Sequence, residues 1–249
     1  MTVTHALLLL AAGLVGGVIN SVASGGSFFT YPAMILSGLN PIQAATTTLA
    51  ALTPGNLAAV PEYWPEVRAQ REKYPRLLAL VSVGSVVGIV LLLTTGADSF
   101  DTIVPWLILA SVGLFAISPA VRRWAEQSAP SLTDGFAGWG ILFVLSIYMT
   151  YFGSGVGNMF LAMLFIRGFG DFLSANAAKN IIMTLGTVFA AVAYTLAGHI
   201  DWVRAIPVLI GSAIGARYGA RVARSLPVEW IRAFIIVFGL CVAMWQFLD

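Results

Sequence analysis

The chain has 249 residues, of which 59% are hydrophobic and only 10% charged, and its mean hydropathy is +0.89. Soluble domains carry about 25% charged residues, so this composition excludes a soluble fold and indicates an integral membrane protein. Thirteen Lys and Arg against eleven Asp and Glu leave a net charge of +2, too little for a nucleic-acid binder, and the single cysteine, Cys241, excludes a disulfide or cysteine metal site within one chain.

The first apolar segment runs from Val3 to Val22. Ser21-Val22-Ala23 has the look of a small-residue cleavage site, but no Lys or Arg precedes the apolar run, so the segment is expected to be retained. It ends in the small-residue break Ala23-Ser24-Gly25-Gly26-Ser27. A short segment, Phe28 to Leu39, follows and stops at Asn40-Pro41. Full-length segments then read Ile42 to Val60, Arg76 to Thr95 and Thr102 to Val121. After a linker from Ala125 to Gly135, Phe136 to Phe152 leads into a second break, Gly153-Ser154-Gly155-Val156-Gly157. Each glycine costs a helix about 1 kcal/mol against alanine, so the chain is expected to turn there. The short segment Asn158 to Ile166 and the segments Phe172 to Ala197, Val203 to Tyr218 and Glu229 to Leu248 complete the chain. A crossing needs about 20 residues. The two short segments, at about 9 to 12 residues, supply half of one.

The halves repeat at an offset of about 130 residues, with Gly25 falling on Gly155, Ser27 on Gly157 and Asn40-Pro41 on Gly170-Asp171. Gly84-x-x-x-Gly88 answers Gly211-x-x-x-Gly215-x-x-x-Gly219, rows of the kind that let helices pack closely. Eleven of the thirteen basic residues cluster near Arg68 to Arg76, Arg122-Arg123, Arg167 and Arg217 to Arg232. Placing these loops in the cytoplasm makes each broken segment a hairpin that enters and leaves on one side, and makes the halves insert in opposite senses. The expected architecture is therefore an all-α membrane protein of two inverted repeats, each a broken-helix hairpin plus three transmembrane helices. Residues 1–124 form the first repeat, 125–135 a cytoplasmic linker and 136–249 the second, with both termini extracytoplasmic. Inverted repeats with broken helices place a site near the membrane midplane.

The site expected at that midplane is anionic in preference. Helices restarting near Ser27 and Asn158 would aim unpaired N–H groups and positive dipole ends at one centre. Ser24, Gly25, Gly26 and Ser27 form one tip, and Ser154, Gly155, Gly157 and Asn158 the other. Lys179 is the one charge well inside an apolar segment, and an intramembrane cation is a functional candidate; snorkelling to the interface is the competing reading. Asn176 and Asn180 flank it with amide donors, and Thr46, Thr47 and Thr48 are hydroxyl candidates opposite them in the repeat. All eleven acids lie at segment ends or in loops, so any proton coupling runs through Lys179 or through protonated substrate.

Ala23-Ser24-Gly25-Gly26-Ser27-Phe28-Phe29-Thr30-Tyr31-Pro32, followed by Asn40-Pro41-Ile42-Gln43-Ala44-Ala45-Thr46-Thr47, resembles the first glycine-rich motif of the TauE/SafE sulfite exporter family. Gly153 to Gly157 and Gly211-Ser212-Ala213-Ile214-Gly215-Ala216 are similar to its second copy. The chain departs from the pattern at Ser27, in place of a third glycine, and at Ala162, opposite Pro32 of the first half. The resemblance implies a multi-pass protein of the plasma or inner membrane that exports sulfite, sulfonates or related small sulfur-containing anions. A small anion and the lipid bilayer are then the expected partners, with self-association as a homodimer left open and no cofactor. An anion channel is the alternative. Enzyme activity is not expected: an intramembrane hydrolase would need His199 as base to Ser154, and the two belong at different depths.

Overall fold

The computed structural model describes residues 1–23, 25–127, 136–169, 172–222 and 228–248, and every regular element among them is helical. In chain order the helices are α1 (Val3–Ala23), α2 (Ser27–Leu36), α3 (Pro41–Ala59), α4 (Trp64–Ala69), α5 (Tyr74–Thr94), α6 (Ala97–Gln127), α7 (Phe136–Tyr151), α8 (Val156–Ile166), α9 (Phe172–Leu196), α10 (Trp202–Val222) and α11 (Val228–Leu248). Among the described residues, four helices (α1, α5, α6 and α9) are long and apolar enough to cross a membrane. The basic connection before α5 contains a 3-10 turn, Val60–Tyr63, and the short α4, and α6 runs three residues into the expected linker.

Local chemistry explains the boundaries. Asn40 caps α3, its side chain accepting from the Gln43 N–H at 2.9 Å, with Pro41 at the first helical position where its missing N–H costs nothing. The second break turns on Gly153 and Gly155, whose φ angles of 77° and 71° lie in the left-handed region that costs other residues about 1–2 kcal/mol. The first break needs its glycine for a different reason. A Cβ on Gly26 would sit 2.4 Å from the carbonyl oxygen of Gly16, so only glycine lets α2 fold back on α1.

The short helices α2 and α8 are 10 and 11 residues long and buried on nearly every side. Such helices are hydrophobic all round because protein rather than lipid surrounds them. Each sits in its own core: Phe28, Phe29 and Met34 of α2 in one cluster, Phe160, Met163 and Leu164 of α8 in the other. Their C-terminal turns are built alike. Ser37, Gly38 and Leu39 donate backbone N–H groups to Ala33, Ile35 and Met34; Arg167, Gly168 and Phe169, 130 positions on, donate to Met163, Phe165 and Leu164. Gly38 and Gly168 both have positive φ.

The long helices pair through small residues. Gly13 and Gly17 of α1 lie against Val208 and Ser212 of α10, so the two helices run parallel, and a Cβ on Gly17 would be 2.2 Å from the Ser212 carbonyl oxygen. Gly84 and Gly88 of α5 lie against Ser146 and Ile147 of α7, again in parallel. Arg167 stacks on the Trp139 ring at 3.9 Å, which brings the start of α7 and the end of α8 to one end of the bundle. At the other end, Ile35 and Leu39 share a cleft with Asp98, Asp101 and Gln246.

Candidate functional site

The two breaks meet. Gly155 of the second approaches the Phe28 ring of the first, 3.6 Å from where a Cβ would stand, and beside them lies a cavity of about 40 Å³, room for about three waters. Ser27, the first residue of α2, and Gly153 from the second break both line it. Its remaining polar groups are Asn20 of α1, Thr48 and Asn56 of α3, and Thr187 of α9. Leu49, Leu52, Met149, Phe152 and Met183 supply an apolar wall. Among the described residues the lining holds hydrogen-bonding groups and no formal charge.

Thr48 stands apart from the other threonines of α3. Buried threonine hydroxyls in helices usually bond back to the preceding turn; Thr53 does so to Leu49 at 2.9 Å. The Thr48 hydroxyl is buried, with the residue only 3% exposed, and has no hydrogen-bond partner among the described residues. Thr187 donates back to the Met183 carbonyl at 2.8 Å, leaving its lone pairs for the cavity.

The other expected site residues take varied positions. Ser24 lies outside the described residues. Gly25 and Gly26 are buried in the first break behind Ser27, with Gly25 packed against Ile19, Phe28 and Ile235. Ser154 and Gly155 are buried in the second break, Gly157 is buried in the first turn of α8, and Asn158 is half-buried beside it. Thr46 and Thr47 point instead to the connection between α9 and α10. The Thr46 hydroxyl donates to the His199 carbonyl at 2.7 Å, and the Asp201 N–H donates to the Thr47 hydroxyl at 3.1 Å. Asn176, Lys179 and Asn180 are half-buried on α9. Lys179 precedes the cavity residues Met183 and Thr187 by four and eight positions, the spacing that stacks side chains along one helix face. Its Cα thus stands about 6 Å along the axis from that of Met183.

Asn20, Asn56 and Thr187 line the cavity without having been singled out from the sequence. A usable signal existed for the two asparagines, since an amide inside an apolar helix seeks a partner. Thr187 carried none, being one of several hydroxyls spread along α9.

Around the α9–α10 connection, partial burial pushes the Asp201 carboxyl up, but hydrogen bonds from the Arg204 backbone and guanidinium, together with its charge, outweigh that and hold it below the usual carboxylate range. His199 belongs to this end turn, whereas Ser154 belongs to the break.

Comparison with known proteins finds probable membrane transporters. The chain is 24% identical over 237 residues to the probable membrane transporter protein ORF9 of Sinorhizobium sp, covering 95% of this chain and 90% of the relative. It is 24% identical to the probable membrane transporter protein YfcA of Escherichia coli K12, covering 92% of this chain and 85% of the relative. It is 27% identical over 232 residues to a probable membrane transporter protein of Haemophilus influenzae, at 92% and 89% coverage. No solved structure matches the chain. These relatives indicate a membrane transporter rather than an enzyme. The sulfite exporter TauE/SafE family matches residues 9–245, nearly the whole length, and the chain belongs to that family.

Proposed function

We propose that the protein is a secondary transporter, working as an exporter, of small sulfur-containing anions such as sulfite or organosulfonates, and that the anion binds in the cavity between the two breaks. The observation that carries this reading is a single cavity walled by Ser27 of one interruption and Gly153 of the other. An anion there meets the positive dipole end of the α2 N-terminus; the free N–H donors expected at this tip are not what holds it, because the Phe28 and Phe29 N–H groups already donate to the Gly25 and Gly26 carbonyls at 3.2 Å. Hydroxyl and amide donors from Thr48, Asn20 and Asn56 complete its shell. Lys179 supplies the compensating charge from one turn along α9, with Asn176 and Asn180 beside it.

We also read the fold as two inverted repeats, residues 1–124 and 136–249, joined by the cytoplasmic linker 125–135. Three features support this. The α1–α10 pair corresponds to the α7–α5 pair, both parallel and both packed through glycine. The turns ending α2 and α8 share the same backbone bonds. Lys73, which donates to the Gly168 carbonyl, and Arg167, which stacks on Trp139, lie at one end of the bundle. With that end cytoplasmic, both termini are extracytoplasmic, as suits a multi-pass protein of the inner membrane.

The test is sulfite flux in proteoliposomes. Lys179→Gln, which keeps a polar side chain but removes the charge, is expected to lower saturable sulfite counterflow about tenfold, the loss of about 1–3 kcal/mol of attraction between opposite charges about one helical turn apart. Unchanged counterflow by a well-folded Lys179→Gln protein would remove Lys179 from the site. Saturable exchange in the parent protein argues against a simple channel.

A further inference from the structure

The two ends of the bundle carry matching cross-ties that no part of the binding site uses. At the end of α2, the Ser37 carbonyl accepts from Arg204 Nε at 3.2 Å, and the same guanidinium is held by Asp201 three residues earlier. At the end of α8, the Gly168 carbonyl accepts from Lys73 Nζ and the Phe169 carbonyl accepts from Gln70 Nε2 at 2.6 Å. Lys73 also lies 5.3 Å from the Phe169 ring centroid. The accepting turns have the same backbone pattern 130 positions apart. The donors stand in equivalent places, at the entries to α10 and α5, the helices that pack on α1 and α7. Each tie therefore pins the end of one half's short helix to the other half of the chain. One is at the end of the bundle with Ser37 and Asp201, the other at the end with Lys73 and Arg167.

Cross-ties of this kind restrain relative movement of the halves. The turns are closed by the N–H groups of Ser37, Gly168 and Phe169, whereas the ties are made to their carbonyls, so a cation can hold these carbonyls and release them without unfolding the turn. Both ties are made here at once, with the cavity between them. If α2 or α8 moves to expose the cavity at one end, only the tie at that end has to part.

We propose that Arg204–Ser37 and Lys73/Gln70–Gly168/Phe169 are paired latches, one for each face of the membrane, and that release of one opens the cavity to that face alone. This rests on the reading of the protein as a transporter with a central cavity, but it does not depend on which solute is carried.

Labelling of a cavity cysteine tests it. In a Cys241→Ala background, Thr48→Cys is exposed to the membrane-impermeant anion sulfonatoethyl methanethiosulfonate from either face of oriented vesicles. Arg204→Ala is expected to raise the labelling rate about tenfold from the extracytoplasmic face and leave the cytoplasmic rate alone, as when a charge-assisted hydrogen bond closing a two-state equilibrium is lost. Lys73→Ala with Gln70→Ala is expected to do the reverse. If Arg204→Ala does not reach the membrane, Asp201→Asn, which loosens the guanidinium, carries the same expectation. Rates equal to the parent from both faces overturn the proposal, as do rates that rise from both faces together or on the wrong face. Because the readout is labelling rather than flux, loss of one-sided control and failure of the sulfite assignment are separate results.

Discussion

Thr48→Val separates a binding role from a packing role at the centre of the cavity. Valine keeps the β-branched shape and removes only the hydroxyl, which is buried and without a partner among the described residues. A buried hydroxyl left unsatisfied costs about 1–3 kcal/mol, so its removal in the empty protein should leave stability unchanged or raise it by up to about that amount. When an anion occupies the cavity, the same hydroxyl gains a charged acceptor, and such hydrogen bonds contribute about 1.5–3 kcal/mol. Affinity for sulfite should then fall by about tenfold to a hundredfold. The two effects have opposite signs. Detergent-solubilised protein is followed by thermal unfolding, and sulfite affinity by the concentration dependence of counterflow and by the stabilisation added sulfite gives. A Thr48→Val protein that is less stable yet binds sulfite as before would refute the reasoning, because it would make the hydroxyl a packing element.

Other outcomes follow from the same geometry. Gly155→Ala forces a left-handed residue and places a Cβ 2.9 Å from the Ser111 carbonyl oxygen; a loss of about 1–3 kcal/mol is expected in denaturant unfolding, whereas Gly140→Ala, with nothing within 4 Å, serves as the neutral control. Gly17→Ala would drive a methyl into the backbone of α10, 2.2 Å from the Ser212 carbonyl oxygen, and should lower the unfolding temperature more than Gly155→Ala, since neither backbone can yield. The Asp201 carboxyl is held below its ordinary value, so its contribution is complete above about pH 4 and is lost only as pH falls through the lowered value. Labelling of Thr48→Cys from the extracytoplasmic face should therefore be flat from about pH 7 to about pH 5, after correction for thiol ionisation measured on a free thiol. A rise across that interval would show that another group controls the latch.

The membrane class, the two interruptions and the capped start of α3 could be read from the residues, because each is a local matter. Apolar runs have no alternative to lipid or core, glycine decides where the backbone can turn, and Asn40-Pro41 stops and restarts a helix within four residues. The short lengths of α2 and α8 followed from counting. Which side chains face the cavity did not follow. Successive helix positions differ by about 100°, so Thr46 and Thr47 turn to the α9–α10 connection while Thr48 turns inward. That phase is set by which helices pack on α3, and only the tertiary structure fixes it. The same holds for Asn20 and Asn56, which belong to one site only because α1 and α3 converge on it. It holds too for the ties from Arg204 and Lys73, whose acceptors are backbone carbonyls far away in the chain and leave no mark in the sequence.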